Sequence, residues 1–557
     1  MKRLPIVYIR GYAGPTTGVD VQVDDPFYGF NRGATHVRVG GSGEPAFYQF
    51  EGPMLRLMID HQYHLLVQGD QHAYLQNSDD RSVAADSIWV YRFYDQAATT
   101  FADPPRRPFF ERIFTDIGKH LTADGFNIES AAAGLYDLIK LIQRKIDADD
   151  KRVVLVAHSM GGLIARCMMQ KVAVEKNDPA RNLVAKLFTY GTPHGGIVFQ
   201  TGLMNWFEDV IGPAGADIFA PEKMYGYLTK DHKFGDLAPK DWDPQSIPPD
   251  VFDPNDVFCL IGTDSKDYGV SKVAVGPKSD GLVRIEHAYV RNANRAFVFK
   301  SRSGSYGEVN SEEGYQNLRR FLFGRWHVRV DLAGLPAYAD VEEAQPPAVW
   351  QADMRVSVRG LSVVLSEQRA DQYTPIQLNA ELQQRKDSPD NPVPLLTTFL
   401  FDQTTASGTT STPDEIDAAR HQGRVRYSLT LRVAKLTQHD NSFDFGEHLE
   451  QVPDWADSAI FDVGPNATRD GLAAWAAWNS EVEGTNDQQD PITPDPSALT
   501  HTDGHWQFQL PLPAAARALP ILGDNATLLV TVTDRDQAAA QDRGAELGQA
   551  GVRGQGG

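Results

Sequence analysis

The clearest chemistry in the chain is carried by residues 153–162, V-V-L-V-A-H-S-M-G-G. Four apolar, mostly β-branched residues read as a buried parallel strand. A short turn around Ser159 follows, then an apolar stretch over 163–169 that reads as a helix. A serine on a tight strand-to-helix turn is the setting of the G-x-S-x-G pattern, which lifts the hydroxyl above the end of a sheet. The sharp turn needs small residues two before and two after the serine. Ala157 and Gly161 meet that need, with Ala replacing the first Gly. Ser159 is thus a candidate nucleophile, and the Met160 N–H can point at a developing oxyanion. Without a base to take its proton the hydroxyl is a poor nucleophile. Other parts of the chain must therefore supply a base, an acid to orient it and a sheet to hold all three.

Those elements can be placed in order. Residues 4–9 read as a strand ending in Arg10-Gly11-Tyr12-Ala13-Gly14, where the Tyr12 N–H is a second candidate oxyanion donor. Residues 15–85 read as an elaborated connection; His61, His64 and His72 within it match no strong metal-ligand spacing, and no cofactor is implied. Residues 87–94 read as a strand. Leu135, Leu138, Ile139, Ile142 and Ile146 recur at helical spacing and predict an amphipathic helix covering the sheet. Residues 183–190 form another strand, ending in G-T-P-H-G-G. Its His194 follows the strand after the nucleophile, whereas the base in this arrangement arrives last in the chain. Within 197–255, Leu203, Trp206, Phe207, Val210 and Ile211 share one helix face, where a lid over an acyl pocket would be placed. Residues 257–262 form the next strand, followed by two acids, Asp264 and Asp280. Residues 296–300 form a last strand, and Asn310 with Glu313 suits the start of a closing helix carrying Tyr315, Leu318 and Leu322.

From Trp326 the pattern changes to period two: Trp326, Val328, Val330, Leu332; Met354, Val356, Val358; Val425, Tyr427, Leu429, Leu431, Val433; Trp506, Phe508, Leu510, Leu512; Leu528, Val530, Val532. Several such segments separated by turn residues indicate an all-β sandwich over 326–537. The tail 538–557 is Ala-, Gly- and Gln-rich and is expected to be disordered. At 557 residues the chain is too long for one typical core. A net charge of −20 argues against nucleic acid or anionic membrane surfaces as partners, without excluding neutral lipids. No run is long enough to span a bilayer. The two cysteines, Cys167 and Cys259, sit in apolar segments and read as buried thiols. The apolar run after Met1-Lys2-Arg3 is too short for a signal peptide, so the expectation is a cytoplasmic protein, with signal-independent secretion left open.

Alternating α/β elements with A-H-S-M-G-G, G-T-P-H-G-G and S-D-G-L-V resemble the lipase and esterase branch of the α/β-hydrolase superfamily over residues 1–325. The stretch S-E-E-G-Y-Q-N-L-R-R-F-L-F-G, residues 311–324, is similar to the closing helix of bacterial lipase-like members. The resemblance implies an α/β-hydrolase domain with a mostly parallel sheet, helices on both faces and a lid-like insertion, and a serine carboxylic-ester hydrolase working through an acyl-enzyme. It favours Asp280, in S-D-G-L-V, as the triad acid over Asp264. It also implies a histidine about two dozen positions later, and the loop S-R-S-G-S-Y-G-E-V-N, residues 301–310, has none; Arg302 stands there. Arginine stays protonated and cannot act as the base. Three readings follow. His287, seven positions after Asp280, substitutes as base. Or the serine site is impaired and the protein is a hydrolase-like binding module. Or another histidine, such as His327 or His194, enters the site. The sandwich is a further candidate for docking the catalytic half onto lipid or protein.

Overall fold

The computed structural model describes residues 3–9, 11, 38–39, 45–46, 51–65, 71–91, 127–197, 218–265, 278–302, 307–344, 349–358, 363–400, 425–436, 453–465, 472–482, 500–502 and 505–535. Arg10, Tyr12, the Leu203 to Ile211 face and the tail from 538 lie outside these residues. The chain divides into two compact units, Lys2–Tyr315 and Gln316–Gly557.

The first unit is built on a seven-stranded sheet: β1 (Ile6–Ile9), β2 (His64–Leu65), β3 (Ser87–Tyr91), β4 (Val153–His158), β5 (Val184–Tyr190), β6 (Val257–Gly262) and β7 (Asn294–Val298). Their order is β2-β3-β1-β4-β5-β6-β7, and every pairing is parallel. From β1 the chain goes to the edge strand β2, comes back inward through β3, and then crosses to β4 on the other side of β1. Sites in open parallel sheets lie outside the carboxyl ends of the strands at such a switch point. Here that places Gly11, after β1, beside Ser159, after β4. The six residues of β4 are all buried, as an apolar run between two covered faces requires.

The helices follow from capping and periodicity. Helix α1 (Ile128–Lys145) starts at Asn127, whose side chain accepts from the Glu129 and Ser130 amides. It buries Leu135, Leu138, Ile139 and Ile142 as the spacing predicts, and Ile146 caps its end in extended conformation. Helix α2 (Met160–Cys167) leaves the serine turn directly. Helix α3 (Glu312–Phe323) begins one residue away from expectation. Ser311 Oγ accepts from the Gly314 amide at 2.9 Å and is the cap, while Asn310 Oδ1 accepts from the Gly52 amide at 3.0 Å. Cys167 and Cys259 are free and buried.

The second unit holds two antiparallel sheets. One runs, in order, through Val393–Leu400, Trp326–Ala333, Thr527–Asp534, His505–Pro511 and Thr500–Thr502. The other runs through Val364–Gln368, Val349–Val358, Val425–Leu436, Trp455–Pro465 and Leu472–Trp478. Val328, Val330 and Leu528 from the first share one core with Met354, Leu429 and Leu431 from the second. The Trp478 indole N–H donates to the Pro511 carbonyl at 2.7 Å, tying one sheet to the other. This is the face-to-face packing that period-two segments require. No helix among the described residues is long and apolar enough to cross a membrane.

Candidate active site

Ser159 sits between β4 and α2 with φ 57 and ψ −129. A non-glycine residue in that region costs about 1–3 kcal/mol, so surrounding structure must enforce it. Its amide donates to the Tyr190 carbonyl at the end of β5 at 2.9 Å, and its carbonyl accepts from the Thr192 hydroxyl at 2.9 Å and the Gly162 amide at 3.0 Å. This closeness demands glycine at Gly162, where a β-carbon would overlap the Thr192 side chain. At Gly11 a β-carbon would come within 2.5 Å of Ser159 Cβ, so glycine lets the loop after β1 approach the serine. Met160 occupies the first turn of α2, where backbone N–H groups have no intrahelical acceptor and favour negative charge.

The guanidinium of Arg302 fills the place next to the serine. Its Nη2 donates to Ser159 Oγ, and its Nη1 donates to the Gly191 carbonyl and to Asp280 Oδ2, the latter at 3.1 Å. The Arg302 amide donates to the Asp280 carbonyl at 3.0 Å, locking the backbone of residue 302 against the acid. Asp280 Oδ1 accepts from the Leu282 and Val283 amides at 2.9 and 2.8 Å. Arg302 and Asp280 are 2% and 1% exposed, which makes this a buried ion pair. Burial raises the Asp280 pKa above the ordinary carboxylate value, and Arg302 and the two amides pull it back.

A third ionisable side chain completes the cluster, and nothing in the sequence marked it. Glu308 is fully buried and neither of its carboxyl oxygens has a hydrogen-bond partner. A β-carbon on Gly191 would meet Glu308 Oε1 at 2.5 Å, Asp280 Oδ2 at 2.9 Å and Arg302 Nη1 at 3.4 Å, so the three side chains converge on this glycine. Burial, and then the charge of Asp280, push the Glu308 pKa well above its usual range; Arg302 and the Gly262 amide, which falls short of a proper hydrogen bond, oppose this. Stability therefore depends on pH with a defined sign. Below the ordinary carboxylate range both the folded and unfolded chains hold the proton. Above it the unfolded chain releases the proton and the folded chain keeps it, so folding weakens by about 1.4 kcal/mol per pH unit until the folded-state pKa is reached. Glu308→Gln removes that loss. Its urea midpoint is expected to exceed that of the natural protein by a margin that widens as the pH rises above the ordinary carboxylate range. A constant margin would mean that Glu308 ionises freely in the fold.

The structure brings Ser159, Asp280 and Arg302 together and does not bring His287 to either Ser159 or Asp280. His287 lies in the 3₁₀ turn Ile285–His287, which directs its Nδ1 to the Gly196 carbonyl at 3.1 Å. His194 is fully buried between Thr189 Oγ1, 3.1 Å from its Nε2, and Cys259 Sγ at 3.7 Å. Burial and the nearby Arg166 hold its pKa well below the usual imidazole value. His327, in the second unit, stacks on Phe399 with 4.8 Å between ring centroids, and burial lowers its pKa to about 3. Asp264 donates its amide to the Lys300 carbonyl at 3.1 Å and is not the acid on Arg302. No group of three or more metal-ligating side chains occurs among the described residues.

Residues 64–211 match the model of the PGAP1-like alpha/beta domain family. No curated protein sequence matches the chain significantly. Among solved structures, phospholipase PlaB from Legionella pneumophila is similar at 11% identity and a TM-score of 0.28, over 78% of this chain and 87% of that one. The same phospholipase in complex with thio-NAD is similar at 11% and 0.28, over 86% and 90%. The parallel sheet order, the strained serine turn at its switch point and the family match together give the first unit an α/β-hydrolase-type fold.

Proposed function

We propose that the first unit is a lipase- or esterase-type serine hydrolase that forms an acyl-enzyme on Ser159. The observation that carries this reading is the strained turn at Ser159, a conformation that costs free energy and serves to present the hydroxyl above the sheet. Ser159 Oγ attacks the ester carbonyl, and the Met160 amide, with Tyr12 as its expected companion, receives the oxyanion. Arg302 stabilises the serine alkoxide through Nη2 but accepts no proton. Hydroxide takes the proton from the serine, becoming water, and the departing alkoxide takes one from water. A second hydroxide then releases the acid. Turnover under this scheme rises with pH through neutrality instead of levelling off above an imidazole pKa.

The test is p-nitrophenyl ester turnover and fluorophosphonate labelling of the full chain beside Ser159→Ala. Labelling is expected to vanish in the variant, and turnover to fall at least about tenfold, given that an oxyanion hole and binding alone sustain about 10³–10⁴ over water. Equal rates and equal labelling would remove the hydrolase reading. One observation favours a second reading. Arg302 holds Ser159 Oγ where a base would stand, which supports a site that binds an acyl ligand without turnover. In that case labelling is absent from both proteins, and a medium-chain fatty acid still shifts the melting of the natural chain.

A further inference from the structure

Glu308 is a buried titratable group beside the site that this mechanism leaves unused. It follows the loop after β7, in the 3₁₀ turn Glu308–Asn310. Among the described residues, the groups facing it are Asp280 after β6, Arg302 after β7, the Gly262 amide at the end of β6 and the Tyr190 phenol at the end of β5. The phenols of Tyr8 and Tyr315 face Tyr190 in turn. Burial pushes both Tyr8 and Tyr190 upward, so they stay neutral. The charges at Glu308 are then those of Asp280, which disfavours its ionisation, and Arg302, which opposes this by less. Asp280 accepts from three donors and takes the negative charge; Glu308, with none, is the acid.

We propose that Glu308 is a positioning residue whose neutral acid form keeps Arg302 aimed at Ser159. Arg302 Nη1 is already shared between the Gly191 carbonyl and Asp280, and Glu308 Oε1 converges on the same glycine. A charge on Glu308 competes with Asp280 for Nη1. The planar fork is rigid, so moving Nη1 toward Glu308 withdraws Nη2 from Ser159 Oγ. The alkoxide then loses its charged donor. The inference deepens the hydrolase reading and depends on it for its catalytic consequence, although the protonation state and the position of Arg302 can be read without any turnover.

The experiment uses the full chain. Infrared difference spectra between the natural protein and Glu308→Gln at neutral pH should show a carboxylic-acid carbonyl band from Glu308. Crystals of the natural protein equilibrated at neutral and alkaline pH should show Arg302 on Ser159 in the first and turned toward Glu308 in the second. The ratio of ester turnover, natural protein over Glu308→Gln, should fall by about tenfold per pH unit above the Glu308 ionisation. A missing acid band, an Arg302 that stays on Ser159 at alkaline pH, or a ratio flat with pH each overturns the proposal. If neither protein turns over esters, the hydrolase reading fails, while the spectra and the wild-type crystals still decide whether Glu308 is neutral and whether it holds Arg302.

Discussion

Replacing Arg302 by histidine is expected to raise Ser159-dependent ester turnover at neutral pH by about 10²-fold and to introduce an inflection near pH 6.5, the ordinary imidazole range. Arg302 bridges acid and nucleophile through the two ends of its fork, Nη1 on Asp280 and Nη2 on Ser159. The two nitrogens of an imidazole would bridge the same pair of groups. The difference lies in the proton: the guanidinium holds its own at every working pH, whereas imidazole accepts one. General base catalysis contributes about 10²–10⁴. The lower end applies here because imidazole is shorter than the arginine side chain, and the Arg302 amide is held by the Asp280 carbonyl at 3.0 Å, so the backbone cannot advance to make up the reach. Full pH profiles of the natural protein, Arg302→His and Arg302→His with Ser159→Ala would check this. An unchanged profile in Arg302→His would show that residue 302 does not stand at the base position. A profile of the natural protein that already levels off in the imidazole range would show that a histidine supplies the base and would overturn the hydroxide scheme. Activity appearing only with the introduced histidine would identify the natural protein as the binding module.

The serine turn was legible in the sequence because its causes are local: an apolar β-branched run, small residues and a helix that starts at once. Helix α1 was legible from the spacing of Leu135, Leu138, Ile139 and Ile142, and the second unit from alternation that each sheet needs to face a core on one side. Arg302 was found by counting from Asp280 toward the closing helix, and its inability to accept a proton is a property of the residue. The direction of a side chain is different, since it depends on the turn that carries it. His287 is close to Asp280 in sequence, yet its 3₁₀ turn points the ring at Gly196. Gly162 is crowded because its close neighbour is Thr192, 30 positions away. Glu308 was invisible for the same reason. A glutamate in G-E-V-N reads as solvated, and only the arrival of Gly191, Gly262 and Asp280 from separate strands encloses it.

Removing the carboxylate of Asp280 is expected to destabilise the first unit by about 3–5 kcal/mol, the cost of leaving a buried guanidinium without its partner. The pair is almost wholly shielded from water, so the small values measured for exposed ion pairs do not apply. The comparison that isolates the pair is a cycle of Asp280→Ala, Arg302→Met and both together, followed by urea unfolding of the full chain. The double variant should recover most of the loss, because it buries neither charge. Glu308 sets the lower bound of the single-variant effect. With Asp280 gone, the remaining carboxyl at the Gly191 convergence can release its proton and neutralise Arg302, at the expense of its own desolvation. Asp280→Ala should therefore cost less at pH 8, where Glu308 gives up its proton more readily, than at pH 6. The same substitution on a Glu308→Gln background should cost more than on the natural one and lose its pH dependence. A loss below about 1 kcal/mol in that background would show that Arg302 reaches solvent and that the cluster is not closed around Gly191.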